Sequence, residues 1–115
     1  MMFTETEIVA RFTRLETHVL QRWIAAGWVK PRESGAGFLF DDADVARTHL
    51  LCDLSFEMEL RDDELAIVLS LVDRLYGTRT MLAALTSAVH NQPAAVRDAI
   101  LAEMRARLQG DASAP

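Results

Sequence analysis

The sequence predicts a mainly α-helical fold in which a helix-turn-helix with a small β-hairpin wing is followed by long C-terminal helices. Two short apolar stripes at helical spacing before Gly27, alternating aromatics around the glycine-rich turn Ser34–Gly37, and apolar residues three and four apart after Glu64 carry that prediction.

In the first stripe Ile8, Val9 and Phe12 recur at helical spacing from Thr4 on, and Thr4 with Glu7 three residues later has the form of a capping box. Leu15 follows in a brief connection. A second stripe, Val19, Leu20, Trp23 and Ile24, stops at Gly27, a residue suited to ending a helix. Trp28 and Val29 then lead to Pro31, and Phe38 and Phe40 alternate beyond the turn Ser34-Gly35-Ala36-Gly37, which predicts a hairpin. Helix, turn, helix and two-stranded wing is the order of a winged helix-turn-helix module, assigned to residues 1–60. Trp23 and Trp28 flank the junction of helix and wing, where large rings fill the core of so small a module.

Asp41 and Asp42 are placed to cap a third helix with Val45, Leu50, Leu54 and Met58 on its inner face. Leu65, Val68, Leu69, Val72, Leu75 and Tyr76 open a long helix, and Met81, Leu82, Leu85 and Val89 carry it to about His90. Gly77 is a candidate kink or break, since glycine costs about 1 kcal/mol relative to alanine inside a helix. Pro93 suits the first position of a final helix with the stripe Val96, Ile100, Leu101, Met104 and Leu108, ending at Gly110. Residues 61–110 are thus expected to form a helical extension packed on the module within one structural domain, and 111–115 a disordered tail.

The longest uncharged stretch, Thr80 to Val89, is far shorter than the roughly 20 apolar residues that span a bilayer. The first seven residues lack the basic start and apolar run of a signal peptide, and the lone Cys52 has no internal disulfide partner. Together these predict a cytoplasmic protein with no membrane contact. A net charge of -5, from 12 Lys and Arg against 17 Asp and Glu, opposes nucleic-acid binding, which rests on neutralising phosphates. The acidity is concentrated late, with six basic against ten acidic groups in residues 51–115.

The residues offer no catalytic constellation. Cys52 sits in an apolar helical run and reads as a packed thiol; His49, three residues earlier, would give only two ligands to a metal. His18 reads as a solvated surface residue and His90 as a helix C-terminal one. Asp62, Asp63 and Glu64 cluster where a helix begins, as capping and dipole partners do, and Gly35 and Gly37 lie between two strands, in a turn and not a phosphate cradle. The expectation is a binding protein without enzymatic activity, metal or cofactor. The Met and Leu stripe of the long helix reads as core or as a seam for a homodimer through the C-terminal helices.

At the wing, Gly27-Trp-Val-Lys-Pro-Arg32, then Phe38-Leu-Phe40-Asp41-Asp42, Val45 and Arg47, resembles a MerR-type winged helix. Glu59-Leu60 and Ala66-Ile-Val-Leu-Ser-Leu-Val-Asp-Arg-Leu75 narrow the likeness, over residues 3–76, to the CbpM chaperone modulators, a divergent MerR-like family. Arg61-Asp-Asp-Glu64 departs from the Pro-Gly-like helix start common there, and the tail after Tyr76 departs from the usual charged coiled coil. The resemblance implies binding to the J domain of a DnaJ-like (CbpA-type) co-chaperone and inhibition of its stimulation of DnaK, without use of DNA. A J domain meets DnaK through a basic helix, so the partner surface is assigned to Glu57, Glu59, Asp62, Asp63, Glu64 and Asp73 with nearby Leu or Met residues.

Two other readings compete. In a MerR-like transcriptional regulator, Arg14, His18 and Arg22 of the helix-turn-helix and Lys30 and Arg32 of the wing would face DNA. In an ancillary subunit, the C-terminal helical hairpin would complete a larger assembly.

Overall fold

The computed structural model describes residues 1–112, which are mainly helical with one small three-stranded antiparallel sheet. In chain order the elements are β1 (Phe3–Thr4), α1 (Glu5–Arg11), α2 (Thr17–Ala25), β2 (Arg32–Ser34), β3 (Gly37–Phe40), α3 (Asp42–Cys52), a π-helical turn (Asp53–Glu57), α4 (Asp62–His90) and α5 (Ala94–Ala112). The chain divides into two compact units, Met1–Val72 and the residues from Asp73 on, so the division falls inside α4 and not at residue 60.

Local chemistry sets most of these boundaries. At α1 the Glu7 amide donates to Thr4 Oγ1 and the Thr4 amide donates to Glu7 Oε1, both at 3.2 Å, which is the expected capping box. Asp41 and Asp44 reproduce it at α3, with the Asp44 amide 2.8 Å from Asp41 Oδ1 and the Asp41 amide 3.0 Å from Asp44 Oδ2. Helix α2 ends in a Schellman motif: the amides of Trp28 and Gly27 donate to the carbonyls of Trp23 and Ile24, and Gly27 takes φ +79.

The hairpin of β2 and β3 pairs Arg32 with Leu39 and Ser34 with Gly37 around Gly35 and Ala36. Strand β1 adds to the other edge of β3, with Phe3 opposite Phe40, so the sheet order is β1-β3-β2. The sequence reading held only the hairpin, because a two-residue strand has no alternation to detect.

The core of the first unit joins Ile8, Leu15, Val19, Leu20, Trp23, Val29 and Phe40 to Leu51, Cys52 and Leu54 and to the first turns of α4 through Leu65 and Leu69. One expectation for the inner face of α3 and the turn after it is corrected, that for Met58. Leu54 is buried and Val45 and Leu50 are half-buried against the core, as expected, but Met58 is 63% exposed, and Leu51 and Cys52 also face inward. The π turn widens the helix by a residue just before Met58 and so turns that side chain off the inner face, while Thr48 is fully buried with its hydroxyl donating to the Asp44 carbonyl at 2.8 Å.

Helix α4 runs unbroken through Gly77, since the cost of one glycine does not by itself interrupt a helix of 29 residues. Helix α5 likewise passes Gly110 and includes Asp111 and Ala112, residues expected in the tail; the remainder of that tail, 113–115, lies outside the described residues. In the second unit no described residue is buried.

Candidate functional site

Residues 53–64, from the π turn to the first turn of α4, carry six carboxylates and one arginine, a balance of -5. The rest of the chain holds 11 basic and 11 acidic groups, so this one segment accounts for the whole net charge. The backbone turns sharply at its centre. The Met58 amide donates to the Asp53 carbonyl, the Leu60 amide to that of Leu54, and Glu59 between them adopts φ 58. This is the left-handed position that usually closes a helix with glycine, here occupied by a charged residue.

Around that turn the carboxylates divide into two groups. Asp62 pairs with Arg22 of α2 at 3.0 Å; Asp63 and Glu64 lie 3.4 and 3.6 Å from the Arg61 guanidinium. Glu64 Oε1 also accepts the Arg61 amide at 2.9 Å, and Asp63 Oδ1 accepts the Glu64 amide at 3.0 Å, so both satisfy donors at the start of α4. Glu57 and Glu59 are exposed and have no ion pair among the described residues. Met58 lies between them, and Ile67 (64% exposed) and Leu71 (57%) follow Asp63 at one-turn intervals on α4. Five of the six proposed contact acids thus belong to the first unit. Asp73 does not; it opens the second.

The residues of the DNA-facing alternative are largely engaged. Arg14 donates to the Phe56 carbonyl at 2.9 Å and lies over the Phe56 ring, Arg22 is held by Asp62, and His18 Nδ1 is 3.2 Å from Glu16. Gln21, on the same helix as His18 and Arg22, donates to Glu5 at 3.1 Å. Each of these three α2 side chains therefore meets a carboxylate of its own chain. Lys30 and Arg32 are exposed, and the Arg32 charge acts on Asp41, whose carboxyl is held below its ordinary value mainly by the Asp44 amide. Sequence reasoning named Arg22 and Asp62 but not their contact, since 40 residues separate them and no local spacing encodes it.

Cys52 is 8% exposed; burial, reinforced by the Asp53 charge, pushes its thiol up to about 11, so at neutral pH it is a packed thiol and not a nucleophile. The His49 ring stacks on Phe12, and its Nε2 lies 3.6 Å from Asp53 Oδ2. These residues line a shallow groove of about 180 Å³ with Arg14, Phe56 and Glu57. Among the described residues no three His, Cys, Asp or Glu side chains gather as a metal site would require, and no helix is long and apolar enough to cross a membrane. Comparison with known proteins finds no matching family model, curated protein or solved structure.

Proposed function

We infer that the chain is a cytoplasmic, non-catalytic chaperone modulator of the CbpM kind. On this reading its first unit is a MerR-like winged helix-turn-helix that binds the J domain of a DnaJ-like co-chaperone and inhibits its stimulation of DnaK. The single observation that carries the reading is the confinement of the net charge to residues 53–64, with Glu57 and Glu59 unpaired beside exposed Met58. A charged strip around an apolar anchor suits a basic helix of a partner: the charges steer encounter and fix register, and the buried methionine side chain contributes affinity.

The DNA-binding alternative is weakened by the carboxylates that meet the side chains of α2. A helix that reads the major groove presents free donors to base edges and phosphates, whereas His18, Gln21 and Arg22 are turned to Glu16, Glu5 and Asp62.

The test is titration of the purified chain against a J domain of the CbpA type, with J-domain-stimulated ATP hydrolysis by DnaK as the functional readout. Binding and inhibition are expected, and Glu57→Lys with Glu59→Lys should weaken binding at least tenfold. Equal binding by that variant removes the acidic strip from the contact. Failure of the native chain to bind, together with tight, salt-sensitive capture of duplex DNA, removes the modulator reading and supports the regulator.

A further inference from the structure

A helix end leaves its last carbonyls without amide partners, and side-chain donors can cover them. The π turn ends in this way at Glu57. Its Asp53 and Leu54 carbonyls take the amides of Met58 and Leu60, and the Phe56 carbonyl takes Arg14 Nη1 at 2.9 Å. That donor comes from 42 residues earlier in the chain, in the turn between α1 and α2.

Arg14 holds Phe56 at two points. Its guanidinium carbon lies 5.1 Å from the centre of the Phe56 ring, so the planar group covers the ring while one of its nitrogens reaches the carbonyl. The same ring lies 6.0 Å from that of Trp23, which is fully buried. Leu15, 4% exposed, anchors the turn that carries Arg14 in the core, and its amide donates to the Phe12 carbonyl at 3.3 Å. The core of the first unit therefore reaches Phe56 through two links, Trp23 and Arg14.

Glu57, Met58 and Glu59 follow directly, and all three are exposed. On their far side Arg22 holds Asp62 at 3.0 Å. The exposed part of the acidic strip is thus bracketed by two arginines of the first helices and the turn between them. By charge alone Arg14 opposes the strip, since a cation placed there weakens the pull on a basic partner. Its contribution at this place is geometric.

From these contacts we propose that Arg14 is a positioning residue: by holding the Phe56 carbonyl and ring it fixes the π turn, so that Glu57, Met58 and Glu59 meet a basic helix in one register. The partner in this statement rests on the co-chaperone reading, whereas the hold on the turn does not. Charge and geometry also give opposite signs. Losing the cation alone should speed association with a basic partner, while losing the hold should speed dissociation.

The experiment measures backbone amide exchange by NMR in the full chain, beside association and dissociation rates with a J domain of the CbpA type. In Arg14→Met, exchange at Met58 and Leu60 should rise at least about fivefold, with Leu20 and Leu51 unchanged. Dissociation should quicken at least about fivefold and association should be no slower than for the native chain. Arg14→Lys keeps the charge without the planar guanidinium, and should restore only part of the protection. Unchanged exchange at Met58 and Leu60 in Arg14→Met overturns the proposal, as does dissociation at the native rate. If Arg14→Met loses protection at Leu20 and Leu51 as well, Arg14→Lys decides: faster exchange confined to Met58 and Leu60 supports the hold, and native exchange or a general loss overturns it. A native chain that binds no J domain overturns the co-chaperone reading instead, and the exchange at Met58 and Leu60 then decides for or against Arg14.

Discussion

Glu59 is the residue whose backbone and chemistry disagree most. Its φ of 58 places a Cβ in the left-handed region, which costs roughly 1 to 2 kcal/mol for an ordinary residue and almost nothing for glycine. Glu59→Gly should therefore raise the unfolding free energy by about 0.5 to 1 kcal/mol after glycine's greater unfolded-state freedom is counted, as measured by urea denaturation. On the proposed function the same change should weaken J-domain binding, since it removes an unpaired carboxylate; a variant both more stable and equally tight would separate the strained turn from the contact. The acids of this turn were legible in the sequence as charge. The left-handed turn was not, because it follows from a π-helical end that no residue type announces.

The caps of α1 and α3 were legible as Thr4 with Glu7 and as Asp41, because a short side chain placed just before an apolar run satisfies amides that the helix itself leaves open. Removing the cap in Asp41→Ala should destabilise the fold at neutral pH, and Asp41→Asn, which keeps an acceptor oxygen but not the charge, should retain only part of the cap. Asp41 is held below the ordinary carboxylate value in the folded state, so its contribution is present above the unfolded value and is lost as pH falls through the lowered one. Asp44 is shifted the other way, chiefly by burial, and its stabilising share appears as it protonates in acid. The Asp41→Ala penalty should accordingly shrink in acid, followed by thermal melts at successive pH values; an undiminished penalty would mean that the carboxylate's charge is not what caps α3. In α4, a Cβ built on Gly77 meets no atom within 4 Å, so Gly77→Ala should increase helicity by circular dichroism and stabilise α4 by about 1 kcal/mol. A destabilised variant would show that the position is covered in solution. Strand β1 escaped sequence reading because its pairing depends on which neighbour lies opposite and not on local periodicity.

For the whole molecule, the two units differ in charge as well as in burial. If the acidic strip engages a basic helix, association should slow steeply with added salt while dissociation changes little, a stopped-flow measurement at several ionic strengths. Equal sensitivity of the two rates would place the charges inside the contact and not on its approach. The charge count alone places the acidity of the second half in residues 53–64; the structure adds that Asp73 lies apart from the other five acids.

The contact of Arg22 with Asp62 at 3.0 Å gives one side chain two duties. One carboxylate both belongs to the acidic strip and neutralises a cation of α2. On the proposed function its loss, as in Asp62→Asn, both thins the acidic strip and leaves the Arg22 charge uncompensated by that carboxylate.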